Sequence, residues 1–256
     1  MSLKEKFIFN FIDDGRWHYI VDGLKVTLEV TFFAVLLGIA LGVIIAIVRS
    51  TYDKNKSSMR GFSKFIVVLL NFICKIYLTV IRGTPVVVQL MIMYFIVLVS
   101  SNNKVLVAVL AFGFNSAAYV AEIFRSGIMS IDEGQFEAGR SLGFNYVQTM
   151  RYIIIPQAFQ NVLPALANEF IVLLKETSVA GYVGLVDLTK GGDIIRSRTF
   201  QAFMPLIGVA VIYLVKNIYL SFLQNVILSF SYTTRMNLAT RLLTTYMNEP
   251  YTFHLS

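Results

Sequence analysis

Three long apolar runs constrain what this chain can fold into. Leu24–Val48 carries charge only at Lys25 and Glu29 near one end, Val105–Ala121 carries none, and Phe203–Phe230 carries one lysine. A helix that crosses a bilayer needs about 20 mostly apolar residues. The chain is 56% hydrophobic and 14% charged, whereas a soluble domain is typically about 25% charged. The sequence therefore predicts an all-α, polytopic membrane protein.

The apolar pattern predicts five membrane segments. They lie at about residues 24–48, 86–100, 105–123, 160–182 and 203–228. A further stretch, Phe62–Ile81, is mixed, because Lys64 and Lys75 interrupt it and Arg82 follows it. It could be a sixth crossing or a helix in the membrane interface, and the lysine in its middle favours the interface.

Composition divides the chain into three parts. Residues 1–23 are expected to be retained as an N-terminal interfacial segment, because they contain no compact apolar stretch with a small-residue cleavage site. Residues 24–228 form the predicted membrane domain, with a polar connection at 126–158, and residues 229–256 form an atypical tail. The single cysteine, Cys74, excludes an internal disulfide and argues against a Cys-based metal site, so no metal ligand is predicted.

Basic residues orient the predicted segments. Twelve lysines and arginines fall in the 49–85 and 124–158 stretches and the C-terminal tail, against seven in the N-terminal part and the remaining connections. Cytoplasmic loops carry an excess of these residues, so we predict that the N-terminus lies outside and the C-terminus in the cytoplasm. The net charge of +7 is explained by this bias, and no nucleic-acid partner is expected.

The segment Glu137–Pro156, EAGRSLGFNYVQTMRYIIIP, lies on the predicted cytoplasmic side. Asp132, Glu133 and Glu137, at its start and just before it, suit the positive N-terminal end of a helix. Gly143 can take a positive φ and end that helix. A second short helix, Phe144–Ile155, would follow, and Pro156 would end or redirect it. The segment predicts either a sharply bent helix pair that presents small residues to a partner or a loop that folds back on its own bundle.

The spacing of this segment resembles the EAA loop of bacterial ABC importer permeases, in which EAA is followed by three residues, Gly, nine residues and I-x-L-P. Two places depart, Gly139 for the third alanine and Ile155 for leucine, and both keep the residue small or apolar. In that family the loop is where the membrane subunit meets the ATPase. The resemblance marks as coupling residues Glu137, Ala138, Gly139, Gly143, Ile153, Ile155 and Pro156.

A second motif precedes the 86–100 segment. Arg82-Gly83-Thr84-Pro85, with Gln89 four residues later, resembles the RGTP-x-x-x-QL signature of polar amino acid permeases. On physical grounds Gly83 and Pro85 break the preceding stretch, Thr84 caps the new helix, and Pro85 occupies its first position. Arg82 is expected at the level of the lipid headgroups.

Polar residues in two membrane segments suggest a translocation path. The run Asn115–Arg125 resembles NSAAY-x-AE-x-x-R of the same subfamily, and Asn115 and Glu122 share one helix face. Glu122 and Arg125 could instead form a structural ion pair. Later matches, PQA, LP-x-L-x-N and L-K-[DE]-T-S, contain further polar groups. The candidate path residues are Asn115, Glu122, Asn168, Glu169 and Lys175.

The resemblance covers about residues 18–214 and implies the type I ABC importer permease fold. It implies a homodimer or a heterodimer with a second permease subunit, two ATPase subunits beneath, and an extracytoplasmic solute-binding protein, in a bacterial inner membrane and surrounded by its lipid. ATP and magnesium would bind to the partner ATPase. The chain has no G-x-x-x-x-G-K-[ST] phosphate loop, so we expect a transporter subunit with no catalytic residues and no cofactor of its own.

The end of the chain departs from this family. Lys216 interrupts the last apolar segment, and the residues from about Lys216 resemble part of an ABC exporter membrane domain, including YMNEPYTFHL. Local propensity predicts a polar helix over Thr234–Asn248, stopped by Pro250. Two alternatives to an importer subunit therefore stand: a fragment or fusion that contains exporter sequence, and a membrane-embedded enzyme or channel with a chance loop match.

Overall fold

The structure, a computed structural model, describes residues 2–56 and 59–247. Every regular element in these ranges is helical, which confirms the all-α prediction. The α-helices are α1 (Leu3–Phe7), α2 (Trp17–Asn55), α3 (Gly61–Gly83), α4 (Val86–Ile92), α5 (Lys104–Met129), α6 (Glu133–Ser141), α7 (Tyr146–Thr149), α8 (Ile155–Glu176), α9 (Leu188–Thr199) and α10 (Phe203–Met247). Turns of π-helix occupy Ile8–Ile12, Met93–Val97 and Met150–Ile154, and 3₁₀ turns occupy Asp13–Gly15 and Thr177–Val183.

Helix contacts divide the chain into two compact units, Met1–Tyr213 and Leu214–Ser256. In the second unit the chain is helical as far as Met247. The predicted polar helix over Thr234–Asn248 is therefore helical in its described part. Pro250 and most of the exporter-like motif lie outside the described residues.

Helices α2 and α5 pack closely and run in the same direction. A Cβ atom on Gly38 would lie 2.9 Å from Ser116 Oγ, and one on Gly42 would lie 2.6 Å from Val120 Cγ1. Residue numbers in the two helices rise together along the contact, so their C-terminal ends lie at the same end of the protein. Small residues bring the backbones near enough for this packing, as is usual in membrane helices.

Helix α8 packs against α5 in the opposite direction. Ser116 Oγ donates to Glu169 Oε1 at 2.9 Å, and the later residue Gly127 faces the earlier residue Val162. The segment between α5 and α8 therefore lies at the end of the bundle where α2 terminates. We refer to this as the coupling end.

Helix α9 packs at the opposite end of α2. The Leu188 amide donates to Thr27 Oγ1 at 3.1 Å, and a Cβ on Gly23 would lie 2.5 Å from the Asp187 carbonyl oxygen. Asp187 is the N-cap of α9, accepting from the Thr189 and Lys190 amides at 3.1 Å each. Capping and close approach together fix this short helix.

Four helices within the described ranges are long and apolar enough to cross a membrane: Trp17–Lys54, Gly61–Gly83, Lys104–Met129 and Phe203–Val226. The 86–100 segment differs from expectation, because its helix Val86–Val97 is shorter than a crossing. The stretch Phe62–Ile81 has the length and composition of a crossing, but the C-terminal part of α3 lies beside Arg49 and Glu122 near the end of α2. Whether it crosses the membrane or lies in the interface therefore stays a prediction. The predicted 160–182 segment corresponds to α8, which is not among the four. The count of five segments stays a prediction.

Candidate coupling surface and translocation path

The first helix of the Glu137–Pro156 region forms as predicted. Asp132 is the N-cap of α6, and its side chain accepts from the Gly134 amide at 2.7 Å. At the other end Gly143 adopts a φ of 78°. Its amide donates to the Arg140 carbonyl oxygen at 2.9 Å, and the Phe144 amide donates to the Gly139 carbonyl oxygen at 3.0 Å. This pair of bonds is the Schellman motif, and it confirms that Gly143 ends the helix.

The second helix differs from the prediction at Pro156. Asn145 begins it with a capping box to Gln148, and a π-helical turn over Met150–Ile154 leads directly into α8. Pro156 therefore lies in the first turn of α8 and neither ends nor redirects a helix. Proline is tolerated there because the first turn of a helix does not need its missing N–H.

We call α6, α7 and the π-helical turn Met150–Ile154 the coupling segment, and this bent pair of helices has a packed inner face. Phe136, Met150 and Ile154 are buried together with Ile128 of α5, and Ile153 and Ile155 are half-buried against them. A Cβ on Gly139 would lie 2.6 Å from Thr149 Cγ2. Gly139 therefore brings α6 against α7 and is buried, which corrects the expectation that it faces a partner.

The outer face carries exposed apolar side chains at a bend. Glu137, Ala138 and Gly143 are exposed, and the side chains of Leu142 and Val147 are 69% and 72% exposed. We call these five residues the coupling surface. Sequence reasoning missed Leu142 and Val147, although apolar residues on both sides of a helix-ending glycine were a usable signal. Exposed apolar groups of this kind are typical of protein interfaces.

A charge contact ties the first residue of α6 to α2. Lys54 Nζ lies 2.6 Å from Glu133 Oε1 and 4.0 Å from the centre of the Phe136 ring. Only 11% of the Lys54 side chain is exposed. Residues 79 positions apart cannot be paired from helix spacing, so the sequence did not indicate this contact.

Glu122 belongs to an ion-pair network near the coupling end. It contacts Arg49 of α2 and lies 3.0 Å from Arg125 Nε, and Arg125 reaches Asp53 at 3.5 Å. The predicted Glu122–Arg125 ion pair is confirmed. The network joins the last two turns of α2 to α5.

The RGTP motif forms a hydrogen-bonded break between α3 and α4. Gln89 Nε2 donates to the Ile81 carbonyl at 2.7 Å and to Thr84 Oγ1 at 2.8 Å, while Asn115 Nδ2 donates to Gln89 Oε1 at 3.0 Å. The prediction that Thr84 caps α4 is wrong, because Pro85 is the N-cap of α4 and the Thr84 hydroxyl donates to the Val80 carbonyl oxygen. A residue before proline is held extended, which directs its side chain back to the preceding helix.

The five candidate path residues do not form one cluster. Asn115 and Glu169 are buried in the middle of the bundle, each bonded to a neighbouring helix. Glu122 lies in the network near the coupling end. Asn168 and Lys175 are exposed on α8, and no ion pair involving Lys175 occurs among the described residues.

A hydrolase-like pattern in the same region has a different explanation. Gly139–Gly143 matches G-x-S-x-G, which in hydrolases places the serine on a sharp strand-to-helix turn. Here Ser141 is the exposed last residue of α6. His18, near the start of α2, is the one histidine in the described part of the chain. The pattern follows from the Gly139 packing contact and the Gly143 helix end.

Comparison with known proteins agrees with this geometry. The family model described as "Binding-protein-dependent transport system inner membrane component" matches residues 38–229. The chain is 36% identical over 212 residues to a putative glutamine transport system permease of Rickettsia typhi, covering 82% of this chain and 91% of that protein. It is 36% identical to an arginine transport system permease of Bacillus subtilis, covering 80% and 89%.

Solved structures show the same fold. The crystal structure of an amino acid ABC transporter with histidines superposes with a TM-score of 0.70 at 41% identity, covering 82% of this chain and 92% of that one. An inward-facing methionine ABC transporter superposes with a TM-score of 0.72 at 19% identity, covering 86% and 99%. The chain belongs to the family of binding-protein-dependent transport system inner membrane components.

Proposed function

We propose that this chain is the permease subunit of an ATP-driven importer that moves polar or charged amino acids into the cell. The observation that carries the proposal is the coupling surface, which presents exposed apolar groups at a rigid bend. Permeases named for glutamine and arginine supply the substrate class. As in the rest of the family, the subunit is not an enzyme, and ATP hydrolysis takes place on a separate ATPase. The alternative of an exporter fragment has no support from the comparisons, and the importer family match runs past Lys216 to residue 229.

The proposed assembly follows from membership in the family. A second permease subunit, identical or related, would complete the path, and two ATPase subunits would each bind one coupling surface. ATP and magnesium would bind to those subunits. An extracytoplasmic binding protein would deliver the solute at the opposite end of the bundle, where α9 packs on α2.

The coupling mechanism uses the two attachments of the bent helices. The buried side chains of Phe136, Met150 and Ile154 join α6 to α5 and α8, and the Lys54–Glu133 contact joins it to α2. A displacement of the coupling surface by the ATPase would therefore move three long helices together. This is how the energy of ATP binding would open and close the path.

The proposed path passes the two buried polar contacts in the bundle. Glu169 offers a carboxylate to an amino acid ammonium group, and Ser116 holds that carboxylate at 2.9 Å. Asn115 lies one residue away from Ser116 along α5 and donates to Gln89 of α4, and both side chains offer amide groups. Asn168, exposed on α8 beside Glu169, would extend this polar track. Lys175, seven residues after Asn168 on the same helix, would draw carboxylate groups into it.

The decisive experiment tests the bend. The full-length chain would be co-expressed with its ATPase, and ATPase capture and ATP-driven amino acid uptake would be measured for Gly143→Asp and Gly143→Asn. Both residues tolerate a positive φ, and only aspartate adds a charge to the coupling surface. We expect Gly143→Asp to lose capture and uptake while Gly143→Asn keeps both. If Gly143→Asp captures ATPase and imports normally, the proposed coupling surface is wrong.

A further inference from the structure

A basic pocket near the coupling end has no role in the mechanism above. It is a cavity of about 460 Å³ between α2, α3 and α5, and its polar lining comes from Arg49, Lys75, Thr79, Arg82 and Glu122. Three cationic side chains thus face one carboxylate. That carboxylate is already in contact with Arg49 and Arg125.

The positive charges of Lys75 and Arg82 are not paired with an acidic side chain among the described residues. Within the described residues neither Lys75 nor Arg82 forms an ion pair. Lys75 Nζ lies 5.9 Å from the centre of the Tyr52 ring, and the Arg82 guanidinium lies 5.6 Å from the Tyr119 ring. The buried Nε of Arg49 also has no hydrogen-bond partner there. Cationic groups on a membrane helix are costly unless an anion pairs with them.

The surroundings of the pocket indicate what kind of anion fits. Lys75, Thr79 and Arg82 share one face of α3, since they are four and three residues apart. On the adjacent face Phe72 and Ile76 are 59% and 50% exposed. The pocket therefore combines cationic donors and a hydroxyl with an apolar strip long enough to cover part of an acyl chain.

The pocket lies at the depth in the membrane where lipid headgroups would be. Arg49 is one and a half turns before Lys54, which contacts the coupling segment, and Glu122 is two turns before the end of α5. The pocket thus lies at the coupling end, where the headgroups of one leaflet would be. Basic pockets between membrane helices on this side are known to bind anionic headgroups.

We propose that this pocket binds the phosphate of an anionic membrane phospholipid from the leaflet at the coupling end. Lys75 and Arg82 supply the charge, Thr79 supplies a hydrogen bond, and the acyl chains lie along Phe72 and Ile76. The lipid would occupy the groove beside the break between α3 and α4, so that it contacts the helix ahead of that break.

The test measures lipid retention by native mass spectrometry. The full-length chain, purified with the partner subunits that remain bound, would be stripped of lipid and titrated with phosphatidylglycerol or phosphatidylcholine. The variant K75Q/R82Q would be compared with K64Q, which removes a charge from the same helix outside the pocket. Because each basic side chain contributes about 1 kcal/mol to anionic lipid binding, we expect roughly 30-fold weaker phosphatidylglycerol binding for K75Q/R82Q and no change for K64Q.

Three results would overturn the proposal. They are equal retention of phosphatidylcholine, unchanged phosphatidylglycerol binding in a folded K75Q/R82Q, and displacement of the lipid by millimolar inorganic phosphate. The last would assign the pocket to a soluble anion. Circular dichroism of each variant separates loss of the site from loss of the fold.

Discussion

Lys54 Nζ lies 2.6 Å from the Glu133 carboxylate, so the last turn of α2 is bonded to the first turn of the coupling segment. The contact joins residues at the ends of two elements that form no other ion pair among the described side chains, and the same lysine lies over the Phe136 ring. It provides a direct mechanical link between the ATPase-facing surface and the longest helix of the first unit.

Removing this link should weaken coupling more than stability. A partly exposed ion pair contributes about 0.2–1 kcal/mol to folding, so Lys54→Gln should melt close to the unmodified protein. We expect a higher ratio of ATP hydrolysed to amino acid imported in reconstituted complexes. Lys25→Gln, which breaks an exposed pair with Asp22 at the other end of α2, is the control. The charge swap Lys54→Glu with Glu133→Lys should restore the ratio. If Lys54→Gln does not raise the ratio and the charge swap has no effect on it, the Lys54–Glu133 contact has no part in coupling.

Gly139→Ala should destabilise the coupling segment even though alanine is the family residue at this place. Its Cβ would lie 2.6 Å from Thr149 Cγ2 and 2.7 Å from Oγ1, and overpacking of this kind costs about 1–3 kcal/mol. Thr149→Ala removes both atoms and should rescue Gly139→Ala. A double-mutant cycle on thermal unfolding measures the coupling energy, and additive effects would contradict the packing explanation.

Gln89→Leu should destabilise the break between α3 and α4. Its amide serves the Ile81 carbonyl, Thr84 Oγ1 and Asn115 Nδ2, and a buried polar group left without a partner costs about 1–3 kcal/mol. Gln89→Glu keeps the acceptor for Asn115 and loses the donor to Ile81. We expect Gln89→Glu to lose no more stability in thermal unfolding than Gln89→Leu does. A Gln89→Leu variant as stable as the unmodified protein would show that the Gln89 hydrogen bonds are dispensable.

Asp187 should give stability a pH dependence of opposite sign to that of an ion-paired carboxylate, whose pKa is lowered on folding. Burial raises its pKa, although hydrogen bonds from the Lys190 and Thr189 amides oppose the increase. The folded state then holds the proton more tightly than the unfolded state, so stability falls as pH rises from the ordinary aspartate pKa to the raised value.

Two substitutions isolate this effect. Asp187→Asn keeps an N-cap acceptor and removes the titration, so the fall in stability should be absent from the variant and should appear in the difference between the unmodified protein and the variant. Asp187→Ala removes both the titration and the cap, so it should be about 1 kcal/mol less stable than Asp187→Asn at every pH. Chemical denaturation between pH 4 and pH 7 makes the measurement, and a parallel fall in Asp187→Asn would assign the dependence to another group.

The sequence predicted local features of this molecule better than it predicted contacts between residues far apart in the chain. The Gly143 helix end and the Asp132 start follow from residues within one turn, and both formed as expected. The Pro156 prediction failed because a π-helical turn continues the chain into α8. The Thr84 prediction failed because the residue before Pro85 is held extended and its hydroxyl turns back to the preceding helix. The Lys54–Glu133 contact and the basic pocket join residues dozens of positions apart, and periodicity within one helix carries no information about them.

The bend at Gly143 requires a positive φ. No atom lies within 4 Å of where its Cβ would stand, so the surroundings leave room for a side chain and the restriction comes from the sign of φ alone. A D-alanine introduced by chemical ligation would prefer this conformation and should make the bend more rigid, whereas L-alanine would oppose it. The constraint at this position is therefore one of chirality, and a mirror-image residue would satisfy it better than any of the nineteen chiral amino acids that the ribosome supplies.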